Sequence, residues 1–195
     1  TRLRAYRYRS DKAGDVLGDV KSFEGPLHKL FEEALAFIVR NTPTHAWFNK
    51  SNPKREEASL YPENSVREAL INALVHRDYS TPSGGVGIHI YPSRMEIINS
   101  GSLPDGVTPE SLTRGQISVL RNPDIAHVVY MRGLMEKAGR GSVLIMKECK
   151  QRGLPRPKWK STEAGVSLTL FARPLTLDDI FPSTTPHATP HVTPH

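Results

Sequence analysis

Residues 67–80 read REALINALVHRDYS, and their spacing is typical of an amphipathic helix. Four residues advance a helix by about 400°, so Glu68 and Asn72 project from nearly the same face, roughly 40° apart. With His76 they form a polar ridge beside an apolar stripe. A carboxylate and a carboxamide one turn apart suit joint chemistry on one ligand, but a helix surface that faces water also explains them. The apolar stripe consists of Leu70, Ile71, Leu74 and Val75.

Regular elements are predicted on both sides of this helix. Apolar residues recur at helical spacing after Gly25-Pro26, and a second such pattern follows Gly141. Neither face of the strand predicted at 2–9 is cleanly apolar. The predicted helices cover 27–40, 64–77 and 142–151, and the predicted strands cover 2–9, 44–60 as a pair, 86–98 as a hairpin, and 166–171.

The segment after the hairpin contains many residues that interrupt regular structure. Glycines and prolines recur through residues 101–123. A loop of this length in a compact domain is usually functional or mobile. We therefore expect residues 101–138 to form a lid over a site, apart from a helix that contains Ile125–Met131 and is preceded by Asn122-Pro123.

Composition and charge describe a soluble globular protein in a reducing compartment. The chain has 195 residues, 37% hydrophobic and 24% charged, which suits one well-cored domain plus appendages. No apolar run is long enough to span a bilayer, and the start at Thr1 indicates an excised fragment without a secretory signal. The single cysteine, Cys149, excludes an internal disulfide, fits the cytoplasm, and is predicted to be a small core residue. The net charge of +6 fits contact with DNA and a solvated surface equally.

The order of these motifs resembles the GHKL (Bergerat-fold) ATPases, the family of gyrase-type topoisomerases, MutL, the large heat-shock chaperone and sensor histidine kinases. In that family a helix with the pattern E-x-x-x-N carries the general base for water and a magnesium ligand. The resemblance assigns the first role, a catalytic one, to Glu68 and the second to Asn72. Within the family the likeness is closest to a RecG-like subgroup of prokaryotic transcriptional regulators. The sequence motifs of that subgroup resemble five segments of this chain, all within residues 61–171. The segments are REALINALVHRDYS, MEIINSGSLPDGVTPESL, RNPDIAHV, GLMEKAGRGSVLIMKEC and GLPRPKW.

The resemblance also implies how a nucleotide would be held. Gly139-Arg140-Gly141 would bring backbone N–H groups and a positive charge to the phosphates, and Asn99 with Gly101 would meet the adenine. Asn99 stands where the family has Asp in a D-x-G-x-G box, and the second glycine of that box is missing. Other interpretations stay open: a helix-to-helix turn for the first group and a plain turn for the second. His76 and Thr169 complete the cofactor-binding candidates, and His76 also fits a structural hydrogen-bond cluster.

The fold implied by the resemblance is a two-layer α/β sandwich, with helices on one face of a mixed, mostly antiparallel sheet. Residues 1–24 are assigned to the end of a preceding domain or an N-terminal strand, and residues 25–175 to the nucleotide-binding domain. Residues 176–195, rich in Thr, Pro and His, are assigned to a disordered linker. In relatives such tracts lead to a C-terminal winged helix, and an AlbA- or Schlafen-like domain precedes the core.

The expected function is that of a nucleotide-binding regulatory module of a prokaryotic transcriptional regulator, with ATP and Mg²⁺ as ligands. DNA would be contacted through domains outside this chain, and a homodimer and weak Mg-dependent ATP hydrolysis are further expectations. Two alternatives remain: a degenerate fold that serves dimerisation or DNA-binding assembly without nucleotide, and an active ATP-hydrolysing switch. The chain contains no G-x-x-x-x-G-K-[ST] P-loop, so it is not expected to be a helicase motor.

Overall fold

The structure, a computed structural model, describes residues 1–49, 52–81, 84–115, 119–135 and 140–172. Helices α1 to α5 cover Leu27–Asn41, Glu63–Val75, Pro109–Arg114, Pro123–Met131 and Gly141–Gln151. Strands β1 to β8 cover Arg2–Tyr8, Leu17–Glu24, Thr44–Asn49, Asn52–Ser59, Val86–Ile90, Arg94–Ser100, Lys158–Thr162 and Gly165–Phe171. The long predicted helices and the predicted central hairpin are therefore present, with small shifts at their ends.

Six of the strands form one sheet, in the order β2-β1-β5-β6-β8-β7. β1 runs parallel to β5, with Leu3 opposite Val86, and all other neighbours in this sheet are antiparallel. β3 and β4 pair as a separate antiparallel hairpin. Since the helices pack on a mixed, mostly antiparallel sheet, the predicted two-layer α/β sandwich is confirmed.

One face of the sheet, called the inner face below, carries the core. Successive side chains of a strand point to opposite faces, so every second residue of the central strands lies on this side. α1 packs against β1 and β2, and α2 packs against β6 and α5. On β5 and β6 the inner-face residues are each at most 7% exposed, and they are Val86, Ile88, Ile90, Met95, Ile97 and Asn99. Asn99 is thus the polar exception in an apolar row.

α2 is buried more completely than its amphipathic pattern predicts. The predicted apolar stripe is buried, but Ser65, Ala69 and Ala73 on other sides of the helix are buried as well. The reason is that α2 packs against both the sheet and α5. The polar ridge of α2 is therefore partly covered instead of fully solvated. The helix ends at Val75, with His76 as its C-cap.

Three elements are absent from the sequence-based prediction: β2, α3 and β7. β2 and β7 are the edges of the sheet, and an edge strand buries too few side chains to show a clear alternation. α3 lies within the segment that was predicted to be irregular. Thr108 Oγ1 accepts a hydrogen bond from the Ser111 N–H at 3.1 Å, Pro109 occupies the first turn, and Gly115 closes the helix at φ 66°. Pro109 and Gly115, which in the sequence look like interruptions of regular structure, instead begin and end this short helix.

The N-terminal strands belong to the same sheet as the central hairpin. β1 and β2, which lie within residues 1–24, form one side of the six-stranded sheet. The linker predicted at 176–195 lies outside the described residues. The division of the chain at residues 24 and 175 therefore stays a prediction.

Two expectations drawn from composition can be compared with the structure. Cys149 is 2% exposed, as expected for a core residue, and burial raises the pKa of its thiol. A buried thiol with a raised pKa is a poor nucleophile. Among the described residues, none of the helices combines the length and the apolar character that crossing a membrane would require.

Candidate functional site

A cavity of about 380 Å³ lies between α2, the inner face of the sheet and the start of α5. Residues of the segment 102–120 supply part of its wall. A concave site of this size suits a small-molecule ligand. The charged, amide and imidazole groups that line it come from Glu68, Asn72, His76, Asn99, Arg140 and Lys147.

The predicted pair of Glu68 and Asn72 lies on the wall that α2 contributes. Asn72 Nδ2 donates a hydrogen bond to Glu68 Oε1 at 3.0 Å, which their spacing on one helix face permits. Because the nitrogen is used in this way, the side-chain oxygen of Asn72 is the atom that suits a cation. The pair can therefore offer a carboxylate and an amide oxygen to one ligand.

Gly141 allows the start of α5 to approach this pair closely. A Cβ added at Gly141 would lie 1.7 Å from Glu68 Oε1 and 2.9 Å from Asn72 Nδ2. A side chain at this position would therefore displace Glu68. The first N–H groups of a helix have no partners within it and favour anions. Glu68, Asn72, Arg140 and Gly141 together form what we call the polar end of the cavity.

Two cationic side chains line the cavity from α5. Arg140 is the N-cap residue of the helix, and Lys147 lies within it. Both residues are exposed. Their charge favours an anionic ligand, but exposed charges interact weakly through water, so they contribute modestly to affinity.

Asn99 lies on the sheet side of the cavity, beside His76. It is 7% exposed, and its Nδ2 lies 3.5 Å from the backbone oxygen of His76 and 3.4 Å from that of Ser100. With the nitrogen directed to backbone oxygens, the side-chain oxygen is the group suited to accept a hydrogen bond from a ligand. Burial lowers the pKa of His76, and the charge of Arg121 lowers it further. His76 is therefore neutral near pH 7.

The lowered pKa of His76 predicts a pH dependence of stability. As the pH falls, His76 becomes protonated near its ordinary pKa of about 6.5 in the unfolded chain, and only at a lower pH in the folded protein. The contribution of neutral His76 to the free energy of unfolding is thus fully present above about pH 6.5. It is lost as the pH falls through the pKa of His76 in the folded protein. Urea unfolding at about pH 7.5 and about pH 5.5 should show a smaller pH-dependent loss for His76→Gln than for the parent. Burial also lowers the pKa of His89, so the parent's loss has a second source. Equal losses in parent and variant would contradict the assignment to His76.

The segment that walls the cavity is anchored at both ends. At its start Gly101 has φ 94°, and a Cβ there would lie 2.6 Å from the Cβ of Asp78. At its end Asn122 Nδ2 donates hydrogen bonds to the backbone oxygens of Val75 and Arg77, both at 2.7 Å. These contacts tie the segment to the end of α2 and to the residues that follow it. The predicted lid is thus attached beside the polar ridge of α2.

The predicted site residues meet at this cavity in most cases. The cavity is lined by Glu68, Asn72, His76, Asn99, Arg140 and Gly141. Gly101 does not line it and instead packs against Asp78. Thr169 pairs with Glu96 and alternates with the buried Leu168 and Leu170, so it lies on the opposite, outer face of the sheet. Gly139 lies outside the described residues.

Lys147 and Trp159 line the cavity but are missing from the sequence-based set. Lys147 follows Gly141 by less than two helical turns, so its position could have been found from the helix itself. The signal for Trp159 is the alternation Lys158-Trp159-Lys160, which puts the ring on one face of a short strand. The sequence does not show that this face is the inner one.

The polar end can be tested for its fit to a metal ion. The described ranges contain no group of three or more His, Cys, Asp and Glu side chains that suits a metal. Mg²⁺ does not need one, because it is usually held by one or two protein oxygens together with phosphate oxygens and waters. Glu68 and Asn72 carry hard oxygen donors. The polar end therefore fits a Mg²⁺ ion that an anionic ligand also helps to hold.

Part of the chain is similar to a known protein family. Residues 84–170 match the model of an ATPase-like family described as "Putative ATP-dependent DNA helicase recG C-terminal". The matched segment runs from β5 to β8 and covers less than half of the chain. The match begins after α2, so it does not include Glu68 or Asn72.

The fold is also similar to a solved structure, that of the DIP2311 protein from Corynebacterium diphtheriae. The TM-score is 0.71 and the sequence identity is 19%. The similarity covers 91% of this chain and 35% of that protein, so the chain spans about a third of its length. At this identity the comparison shows the fold alone. No curated protein matches the chain.

Proposed function

We propose that this chain is a GHKL-like nucleotide-binding module that takes ATP with Mg²⁺ into the cavity. The observation that carries the proposal is the meeting of Glu68, Asn72 and the start of α5 at one end of a cavity with apolar sheet residues along its side. The ATPase-like family match of residues 84–170 supports the same function. Fold similarity alone would not support this function, because one fold hosts many functions.

The arrangement of the cavity suggests how the parts of ATP are held. The phosphates lie at the polar end, near the N–H groups of α5 and the charge of Arg140. Asn72 contributes its side-chain oxygen to Mg²⁺, which neutralises phosphate charge when bound. Asn99 accepts a hydrogen bond from the amino group of the base. In this proposal Glu68 takes a proton from water, so weak hydrolysis is part of it.

A second candidate is a degenerate module that keeps the fold for assembly and binds no nucleotide. It is favoured by Asn99, which replaces the family's Asp, and by the contact of Glu68 with the start of α5. A carboxylate at that position competes with a phosphate for the same end of the helix. In both candidates we place the chain in a cytoplasmic, RecG-like transcriptional regulator that contacts DNA through other domains.

Ligand-dependent stability separates the two candidates. ATP with Mg²⁺ at about a hundred times its Kd should add about 2.7 kcal/mol to the free energy of unfolding, a rise of several degrees in Tm. Isothermal titration with ATP, ADP and GTP gives the affinities, and ATP with excess EDTA is the matched control. No shift and no heat with any nucleotide would overturn ATP binding and favour the degenerate module.

A further inference from the structure

The lining of the cavity has a charged part and an apolar part. Its charged groups come from α2 and α5, whereas the sheet and residues 103–107 contribute mainly apolar side chains. Asn99 is the polar group on the sheet side, and its neighbours in the lining are Ile97, Trp159, Val166 and Leu168. A ligand that joins a charged group to a flat apolar ring would match both parts.

Trp159 lies at the centre of the edge strand β7, opposite Leu168 of β8. Leu168 is 7% exposed and belongs to the core, and Trp159 packs against that core. On either side of it, Lys158 and Lys160 are exposed. Trp159 itself is half-buried and lines the cavity, so its side chain borders the space where a ligand would lie.

The ring of Trp159 makes no ring–ring or cation–ring contact with any other described residue. Other aromatic residues do make such contacts. On the outer face Tyr8 stacks on Tyr91 with ring centroids 4.6 Å apart, and Arg94 lies over the Tyr91 ring at 3.8 Å. Those rings are used by the protein's own packing. The indole of Trp159 remains available for a flat partner.

The first part of the predicted lid packs against this part of the sheet. The Leu103 N–H donates a hydrogen bond to Ser161 Oγ of β7 at 3.1 Å, and α3 packs against β7. Leu103 and Pro104 line the cavity on this side. A flat ring placed here has the indole on one side and apolar lid residues close by.

We propose that Trp159 is a binding residue on which the base of the nucleotide packs, so that the cavity selects a ligand with an aromatic ring over phosphates alone. This inference rests on the proposed function. It assigns base contact to the edge strand β7, in addition to the hydrogen bond at Asn99. Packing of a base on an aromatic side chain contributes to affinity and tolerates different bases.

The fluorescence of Trp159 tests the contact directly. Trp47, on the β3–β4 hairpin, is the other tryptophan of the chain, so Trp47→Phe leaves Trp159 as the single reporter. Titration of this variant with ATP and Mg²⁺ should change its emission in step with the binding heat. Inorganic tripolyphosphate with Mg²⁺, which has no base, should leave the emission nearly unchanged. This test uses the native Trp159 and does not depend on a variant that removes it.

Affinity gives the second test. Trp159→Leu should weaken ATP binding by roughly tenfold, whereas Trp159→Phe, which keeps a ring, should weaken it less. Binding of tripolyphosphate should be the same in the parent and both variants. Phe171→Leu is the matched control, because it removes a ring from the neighbouring strand β8 on the outer face. It should leave ATP affinity unchanged.

The outcomes separate this inference from the proposed function. If ATP binds, with no change in Trp159 emission and equal affinity in Trp159→Leu, the base lies elsewhere and the inference is wrong. If Trp159→Leu weakens ATP and tripolyphosphate equally, Trp159 is a structural residue and the inference is also wrong. If the parent binds no nucleotide, the proposed function fails and the inference fails with it.

Discussion

Replacing Glu68 with glutamine is expected to lower ATP hydrolysis by roughly a hundredfold or more and to leave ATP affinity nearly unchanged. Glutamine keeps the shape of the side chain and an oxygen that can accept the hydrogen bond from Asn72, 3.0 Å long in the parent. What it loses is the ability to take a proton from water. Binding therefore survives in the variant and turnover does not.

The measurement for Glu68→Gln is steady-state phosphate release together with titration of ATP. Glu63→Gln is the matched control, because Glu63 is an exposed carboxylate in the first turn of the same helix. It should leave both quantities unchanged. If Glu68→Gln hydrolyses ATP at the parental rate, Glu68 is not the base. If the variant is unfolded, the contact of Glu68 with the start of α5 is structural.

Replacing Asn72 with alanine is expected to reduce the affinity for Mg-ATP by roughly tenfold or more, which corresponds to about 1.4 kcal/mol. The variant removes the oxygen that we assign to Mg²⁺ and also the hydrogen bond to Glu68. Because the effect acts through the metal, it should shrink when ATP is titrated in excess EDTA. Glu68→Gln and Asn72→Ala thus separate turnover from binding.

The control for Asn72→Ala is Asn64→Ala, which removes an exposed amide from the same helix. Asn64 Nδ2 donates to Glu148 Oε1 at 2.9 Å and does not line the cavity. Its loss should leave Mg-ATP affinity unchanged. Each variant should melt within a few degrees of the parent, since partly exposed polar substitutions rarely cost much stability. Parental affinity in Asn72→Ala would show that the phosphates and Mg²⁺ bind elsewhere or not at all.

The polar end of the cavity could be predicted from sequence because its two main residues lie on one helix. The spacing of Glu68 and Asn72 determines their shared face, and any tertiary structure must keep it. Gly141 comes from a different element. Its pattern indicated a helix start, but only the packing of α5 on α2 shows that a side chain there would collide with Glu68.

The sheet side of the cavity was harder to predict, because a strand does not reveal which of its faces is covered. Thr169 and Leu168 are neighbours on β8, and alternation places them on opposite faces. Deciding which face holds the cavity requires the helices. The same limit hides Trp159, whose partner Leu168 is set by the pairing of β7 with β8. Gly101 was placed near the base by resemblance, whereas its positive φ serves the turn beside Asp78.

The parallel pairing of β1 with β5 has a consequence for synthesis on the ribosome. β1 lies between β2 and β5, so the edge of Leu3–Arg7 that faces β5 is completed only when Val86–Ile90 has been made. Until then the nascent β1–β2 hairpin carries an open edge, because the backbone N–H and C=O groups of Leu3–Arg7 that face β5 have no partner strand. Open strand edges of this kind invite pairing with other chains. The nascent chain is thus vulnerable to such pairing until β5 has left the exit tunnel.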